Sequence, residues 1–130
     1  MIIKKLFLRK IYKKRQPWSH KGQFGKLLVI GGSSVYVGAP LFVALAALRS
    51  GCDLVRVAAP QRAANIIARK PDLITYKLKG NYFSKSHVNK ILEMATNMDA
   101  VVIGNGLGEH KDTLSAVNNF LEKCRLPITI

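Results

Sequence analysis

The stretch from Leu27 to Leu48 constrains this chain most, because it carries no charged residue. It is long enough to cross a bilayer as a helix, and the basic residues before it would suit a positive-inside orientation. Gly31-Gly32-Ser33-Ser34 and Gly38-Ala39-Pro40 break it twice. In lipid, the backbone polar groups freed at those breaks would lack partners. The stretch therefore reads as a strand, a glycine loop and a buried helix, and no membrane partner is expected. The N-terminus has no compact apolar region of the kind a secretory signal needs.

The rest of the chain continues the alternation. Lys26 to Ile30 is a short apolar run of strand length that leads straight into Gly31-Gly32. Pro40 to Arg49 follows as a helix with proline in its first turn. Its apolar residues wrap nearly all round, which predicts burial on most sides. Leu54 to Ala59 is a second strand, Gln61 to Arg69 a second helix, and Leu73 to Leu78 a third strand. Ser84 is placed to cap a helix running to about Asn97, with Val88, Ile91, Leu92 and Ala95 on one face. Ala100 to Ile103 is a fourth strand, and Asp112 or Thr113 opens a helix with Leu114, Val117, Phe120 and Leu121 inward. Leu126 to Ile130 begins another strand. Strands alternating with helices predict an α/β fold, a mostly parallel sheet with helices on both faces.

Composition refines the partners. Of 21 Lys and Arg residues, those before Leu27 are Lys4, Lys5, Arg9, Lys10, Lys13, Lys14, Arg15, Lys21 and Lys26, with no acidic residue among them. The formal net charge of +14 is thus concentrated in an N-terminal segment. Residues 1–18 read as a solvated basic segment and 19–130 as the domain. RNA, anionic lipid or an acidic subunit are the alternative uses of such a block. Its few aromatics (Phe7, Tyr12, Trp18, Phe24) do not favour a nucleic-acid stacking platform. Cys52 and Cys124 are far apart and match no metal-ligand spacing, and His20, His87 and His110 do not cluster. Buried free thiols and a reducing cytoplasm are expected, with no metal site.

Both glycine-rich segments follow predicted strands and precede helices, where glycine permits close approach and positive φ, and a helix N-terminus favours anions. Neither is a common nucleotide fingerprint. Gly31 to Gly38 lacks the Lys-Ser or Lys-Thr of a P-loop, and Gly104-Asn105-Gly106-Leu107-Gly108 lacks the third glycine at dinucleotide-fold spacing. Each is either a ligand-facing loop or a tight turn that needs glycine for its backbone angles alone.

Taken together, the segments are more specific. His20-Lys21-Gly22-Gln23-Phe24-Gly25-Lys26, Leu28-Val29-Ile30-Gly31-Gly32-Ser33 and Tyr36-Val37-Gly38-Ala39-Pro40 resemble the opening of the ADP-dependent NAD(P)H-hydrate dehydratase family. So does Ala44 to Gly51 leading into Leu54 to Ala58. Gly104 to Gly108 stands where that family carries Gly-Pro-Gly-Leu-Gly, with Asn105 in place of the proline. The resemblance covers about Ser19 to Ile130. It implies a partial ribokinase-like fold and a lyase that repairs hydrated NADH and NADPH. The nucleotide would be ADP in prokaryotic members and ATP in eukaryotic ones, and Mg2+ is compatible with such chemistry. By the same resemblance, the nucleotide would phosphorylate the ring hydroxyl, and elimination would restore the dihydropyridine.

Carried over residue by residue, Ala39 and Gly106 match substrate contacts. Gly31, Gly32, Ser33, Tyr36 and Gly38 would shape the pocket, with Gly104 and Asn105 beside Gly106. His20 and Lys21 fit the motif without an assigned role. No catalytic residue is assigned, because the family's catalytic aspartate, nucleotide loop and anion-hole motif would follow Ile130. The chain alone is accordingly expected to be inactive, and a homo-oligomer or a complementing C-terminal half is its expected partner. Two other classes stay open. One is a fragment of a ribokinase-superfamily small-molecule kinase. The other is a non-catalytic basic binding module, for which nucleic acid is conceivable but not favoured.

Overall fold

A computed structural model describes residues 5–12 and 14–130. Lys4 and Lys13 of the basic segment lie outside the described residues. The elements are α1 (Lys5–Ile11), β1 (Lys26–Ile30), α2 (Ala39–Arg49), β2 (Leu54–Pro60), α3 (Gln61–Ile67), β3 (Ile74–Leu78), α4 (Lys85–Ala95), β4 (Ala100–Ile103), α5 (Lys111–Lys123) and β5 (Ile128–Thr129). Apart from α1, which arises inside the basic segment, the order is the expected alternation.

The strands form one five-stranded sheet in the order β3-β2-β1-β4-β5. Every pairing is parallel, for example Val29 with Val57 and Val29 with Val102. The chain builds outward from β1 to β3, then crosses back over the sheet through α4 to place β4 on the other side of β1. This reversal sends successive helices to opposite faces. Period-two alternation along β1 shows the result: Val29 packs with Ala44 of α2 and Ala63 of α3, while Leu28 and Ile30 pack with Ile91 of α4 and Phe120 of α5. Both faces are therefore covered, as buried all-parallel strands require.

Two expectations about helix faces are corrected. α2 is not buried on most sides; only Pro40 and Ala44 are fully buried, and Phe42 is 74% exposed. The helix covers β1 and β2 with one face, and among the described residues no further layer lies over its other face. In α5 the inward stripe is Thr113, Ala116 and Phe120, whereas Leu114 is 67% exposed. Three- and four-residue steps from Phe120 reach Ala116 and Thr113, and Leu114 falls about 100° off that line.

The uncharged stretch resolves into β1, its loop and α2. No helix among the described residues is long and apolar enough to cross a membrane. Cys52 and Cys124 are free, as expected, but half-buried.

Candidate functional site

β1 and β4 are neighbours from which the chain departs in opposite directions. The loops that leave their carboxyl ends therefore flank a crevice, the place where open α/β sheets bind ligands. These are the two glycine loops. Gly31 N–H donates to the Ala58 carbonyl at 3.2 Å, and Gly32 N–H donates to the Asn105 carbonyl at 2.8 Å. A Cβ on Gly31 would lie 2.5 Å from that same Asn105 oxygen. Gly106 has φ +72, and a Cβ there would lie 2.9 Å from Tyr36 Cβ and 3.2 Å from Ala39 Cβ. Glycine thus lets the two loops interlock. Gly32, at φ +83, is also pressed against Ala63 of α3.

Ser33 is buried, and its Oγ accepts the N–H groups of Tyr36 (3.0 Å) and Val35 (3.3 Å). Ser33 N–H donates to the Tyr36 carbonyl at 3.1 Å, and Ser34 N–H to the Asn81 carbonyl at 2.9 Å. All six N–H groups from Gly31 to Tyr36 are therefore spent on protein acceptors. From Gly31 to Tyr36 the first loop is a self-satisfied turn with no amides left to cradle a phosphate.

Unspent donors lie beside it. Gly38 caps α2 without a side-chain bond, so the first-turn amides of α2, starting at Ala39, retain free hydrogen-bonding capacity. Gly106 N–H donates to no protein acceptor among the described residues. Asn105 Oδ1 is buried without a partner. The structure therefore brings Ala39, Gly38, Asn105 and Gly106 together with Tyr36 at one mouth. Gly104, held by its N–H to the Ile30 carbonyl at 3.2 Å, closes the base of the second loop. Beyond that loop, a cavity of about 370 Å³ runs along α5 from Gly104 to Val117, and Thr113 borders it.

Sequence reasoning missed two supports of this edge. Arg62 of α3 donates to the Ser34 carbonyl at 2.5 Å, and Asn81 holds the same residue from the loop after β3. Neither stands in a recognisable motif; their proximity depends on β3 lying two strands from β1. His110, which caps α5 by accepting Asp112 N–H at 3.3 Å, stacks on Tyr82 with ring centroids 3.8 Å apart.

The His20 to Lys26 motif lies at the opposite edge, before β1. Its centre is Asp53, whose carboxylate accepts the N–H groups of Phe24 (2.9 Å) and Gly22 (3.1 Å) and pairs with Arg15 at 2.9 Å. Partial burial works to raise the Asp53 pKa. The Phe24 N–H, the Arg15 charge and the Gly22 N–H outweigh it and hold the carboxyl below its ordinary range. Arg15 also donates to the Gly51 carbonyl at 2.6 Å and lies over the Phe24 ring. The motif is thus an anchor for the β1 and β2 entry points, remote from the glycine loops.

Residues 27–129 match the family model described as NAD(P)H-hydrate dehydratase (Carb_kinase). The chain is 48% identical over 100 residues to a bifunctional NAD(P)H-hydrate repair enzyme of Methanothermobacter thermautotrophicus, covering 76% of this chain and 19% of that protein. Among solved structures it resembles a ribokinase-like superfamily protein of Enterococcus faecalis, with TM-score 0.77 and 22% identity over 95% of this chain and 41% of that one. It also resembles an ADP/ATP-dependent NAD(P)H-hydrate dehydratase of Bacillus subtilis, with TM-score 0.68 and 23% identity over 95% of this chain and 42% of that one. The fold is therefore part of a ribokinase-like fold, and the chain spans well under half the length of these relatives. With interlocked glycine loops at the sheet's switch point and a family match over most of its length, this chain belongs to the NAD(P)H-hydrate dehydratase family.

Proposed function

We propose that these residues form the substrate-side wall of a cleft that receives hydrated NADH or NADPH for dehydration. The observation that carries this reading is the meeting of Gly106 and Ala39 at the mouth between β1 and β4. Here the adjoining loops carry an unspent Gly106 amide, the α2 N-terminus and, among the described residues, an Asn105 Oδ1 without a hydrogen-bond partner. A hydrated nicotinamide offers groups of matching polarity. Its carboxamide supplies both a donor and an acceptor, and its ring hydroxyl supplies a donor for Asn105 Oδ1. Gly31, Gly32, Ser33, Tyr36, Gly38 and Gly104 hold the two loops in register and give the wall its shape.

The Bacillus subtilis relative is described as ADP/ATP-dependent and was co-crystallised with ATP and Mg2+. The residues described here do not fit that pair by themselves. The amides from Gly31 to Tyr36 are spent, and no three of the described His, Cys, Asp and Glu residues gather where a metal could sit. Nucleotide and Mg2+ belong, on this reading, with sequence that the longer relatives carry beyond the matched part. Turnover accordingly requires a complementing C-terminal half, and the cytoplasm is the compartment that supplies the substrate and keeps both thiols reduced. The apolar outer face of α2, where Phe42 is exposed beside Gly38, is the face through which the domain self-associates.

Amide chemical shifts test the site directly. Adding hydrated NADPH to the labelled chain is expected to move the Ala39, Asn105 and Gly106 amides while leaving Gly22 and Phe24 in place. Shifts confined to the Gly22 edge would overturn the assignment. Incubation of the 130-residue chain with hydrated NADH and either ADP or ATP is expected to give no NADH absorbance. Measurable turnover would refute the need for a second half.

A further inference from the structure

We propose that the N-terminal segment docks the protein on an anionic lipid surface. Three independent features converge on this. The first is charge: the segment before Leu27 holds cations from Lys4 to Lys26 and no carboxylate. Among the described residues, the domain pairs one of them, Arg15, with a carboxylate, that of Asp53. The second is an apolar helical face. Phe7, Leu8 and Ile11 fall on an arc of about 100° around α1, with Tyr12 at its domain-facing end against Gly51, and Arg9 and Lys10 lie outside that arc. All four apolar side chains are between 44% and 58% exposed. The third is Trp18, which is 78% exposed in the same segment. A basic helix with an aliphatic face and a flanking indole suits the boundary between headgroups and acyl chains.

This composition favours lipid over the alternatives. Leu8 and Ile11 gain nothing against nucleic-acid bases, which call for flat aromatic platforms and a charged groove. A second copy would bring an equally basic segment against the first, and the charges would repel. Geometry makes lipid docking compatible with a working cleft. The segment is tied to the domain by Arg15, at Gly51 and Asp53 before β2, and Tyr12 lies against the same Gly51. That edge is opposite the one bearing Ala39 and Gly106, so a bilayer beneath α1 leaves the glycine loops open to water. A helix this short binds weakly and depends on both its charge and its apolar face.

The test uses phosphatidylcholine vesicles with and without phosphatidylglycerol. Trp18 is the chain's one tryptophan, so its fluorescence reports the segment alone. The chain should pellet with the anionic vesicles and not with the neutral ones. Its emission should shift to shorter wavelength, and added salt should reverse both effects. Reversing two charges in Arg9→Glu/Lys10→Glu should weaken partitioning at least twentyfold, since each cation near such a surface contributes about fivefold. Phe7→Ser/Ile11→Ser keeps the charge and should abolish the Trp18 shift. Both pairs are exposed, so the melting temperature of the domain serves as the folding control. Failure to pellet with anionic vesicles at low salt would overturn the proposal. So would Phe7→Ser/Ile11→Ser partitioning like the parent, which would leave only unspecific charge attraction. Tighter binding to a single-stranded RNA oligonucleotide than to the vesicles would assign the segment to nucleic acid instead. Self-association lost in the serine variant would assign it to a second copy.

Discussion

Single residues at the two sheet edges do different work. At the carboxyl edge, Gly31 and Gly106 are required because another backbone or Cβ occupies the space a side chain would need. Gly31→Ala and Gly106→Ala are each expected to cost about 1–3 kcal/mol in a urea titration, through clash and, at Gly106, positive φ. Gly80 also has positive φ (+98), but a Cβ there would meet nothing within 4 Å, so Gly80→Ala should cost less than either. At the amino edge, the Asp53 carboxyl is depressed below its ordinary range, so its stabilisation is full above the unfolded-state pKa and fades as pH falls through the folded value. Asp53→Asn should lower the melting temperature by several degrees at neutral pH and by much less in strong acid. An equal loss at both pH values would show that the carboxylate charge is irrelevant to the anchor.

At the scale of elements, the start of α4 carries its own pH dependence. Ser84 N–H donates to His87 Nδ1 at 3.1 Å, which requires that nitrogen to be unprotonated. Burial lowers the His87 pKa, and a backbone contact at Lys79 opposes it only in part. The neutral ring is thus favoured by folding. Its contribution is complete above the unfolded-state value of about 6.5 and is lost as pH falls from there through the folded value. Amide protection factors in the first turn of α4, which correct for the intrinsic pH dependence of exchange, should therefore fall on acidification through this window, and His87→Ala should remove that fall. In α5, Phe120 is fully buried against the sheet, and Phe120→Ala should cost about 3–5 kcal/mol. Leu114→Ala, on the exposed side, should cost far less. Sequence periodicity identified α5 and its Phe120, but it grouped Leu114 with the inward residues. Apolar character alone does not distinguish a core residue from one that borders an open cavity.

For the whole molecule, the strand order decides the site. Alternating elements made a parallel sheet with two helical faces legible in advance. They did not say that β4 would sit beside β1, which is what joins loops more than sixty residues apart along the chain. The same order leaves the outer face of α2 uncovered among the described residues. If that face mediates self-association, Phe42→Glu should shift the light-scattering mass toward the monomer without altering the circular dichroism spectrum. An unchanged mass would place any oligomer contact elsewhere.

The sequence by itself determined the alternation of elements, the split of the long uncharged stretch into strand, loop and helix, and the family, through the wording of the two glycine loops. These are local properties, set by periodicity, turn residues and contiguous motifs. Tertiary structure alone decided what the glycines are for. It pressed Gly31 against Asn105 and Gly106 against Tyr36 and Ala39, spent the amides from Gly31 to Tyr36 within the protein, and left the Gly106 amide and Asn105 Oδ1 without partners among the described residues. It likewise showed that the His20 to Lys26 motif wraps Asp53 at the far edge. Such pairings depend on which strands become neighbours, a long-range outcome of packing that no short window of sequence contains.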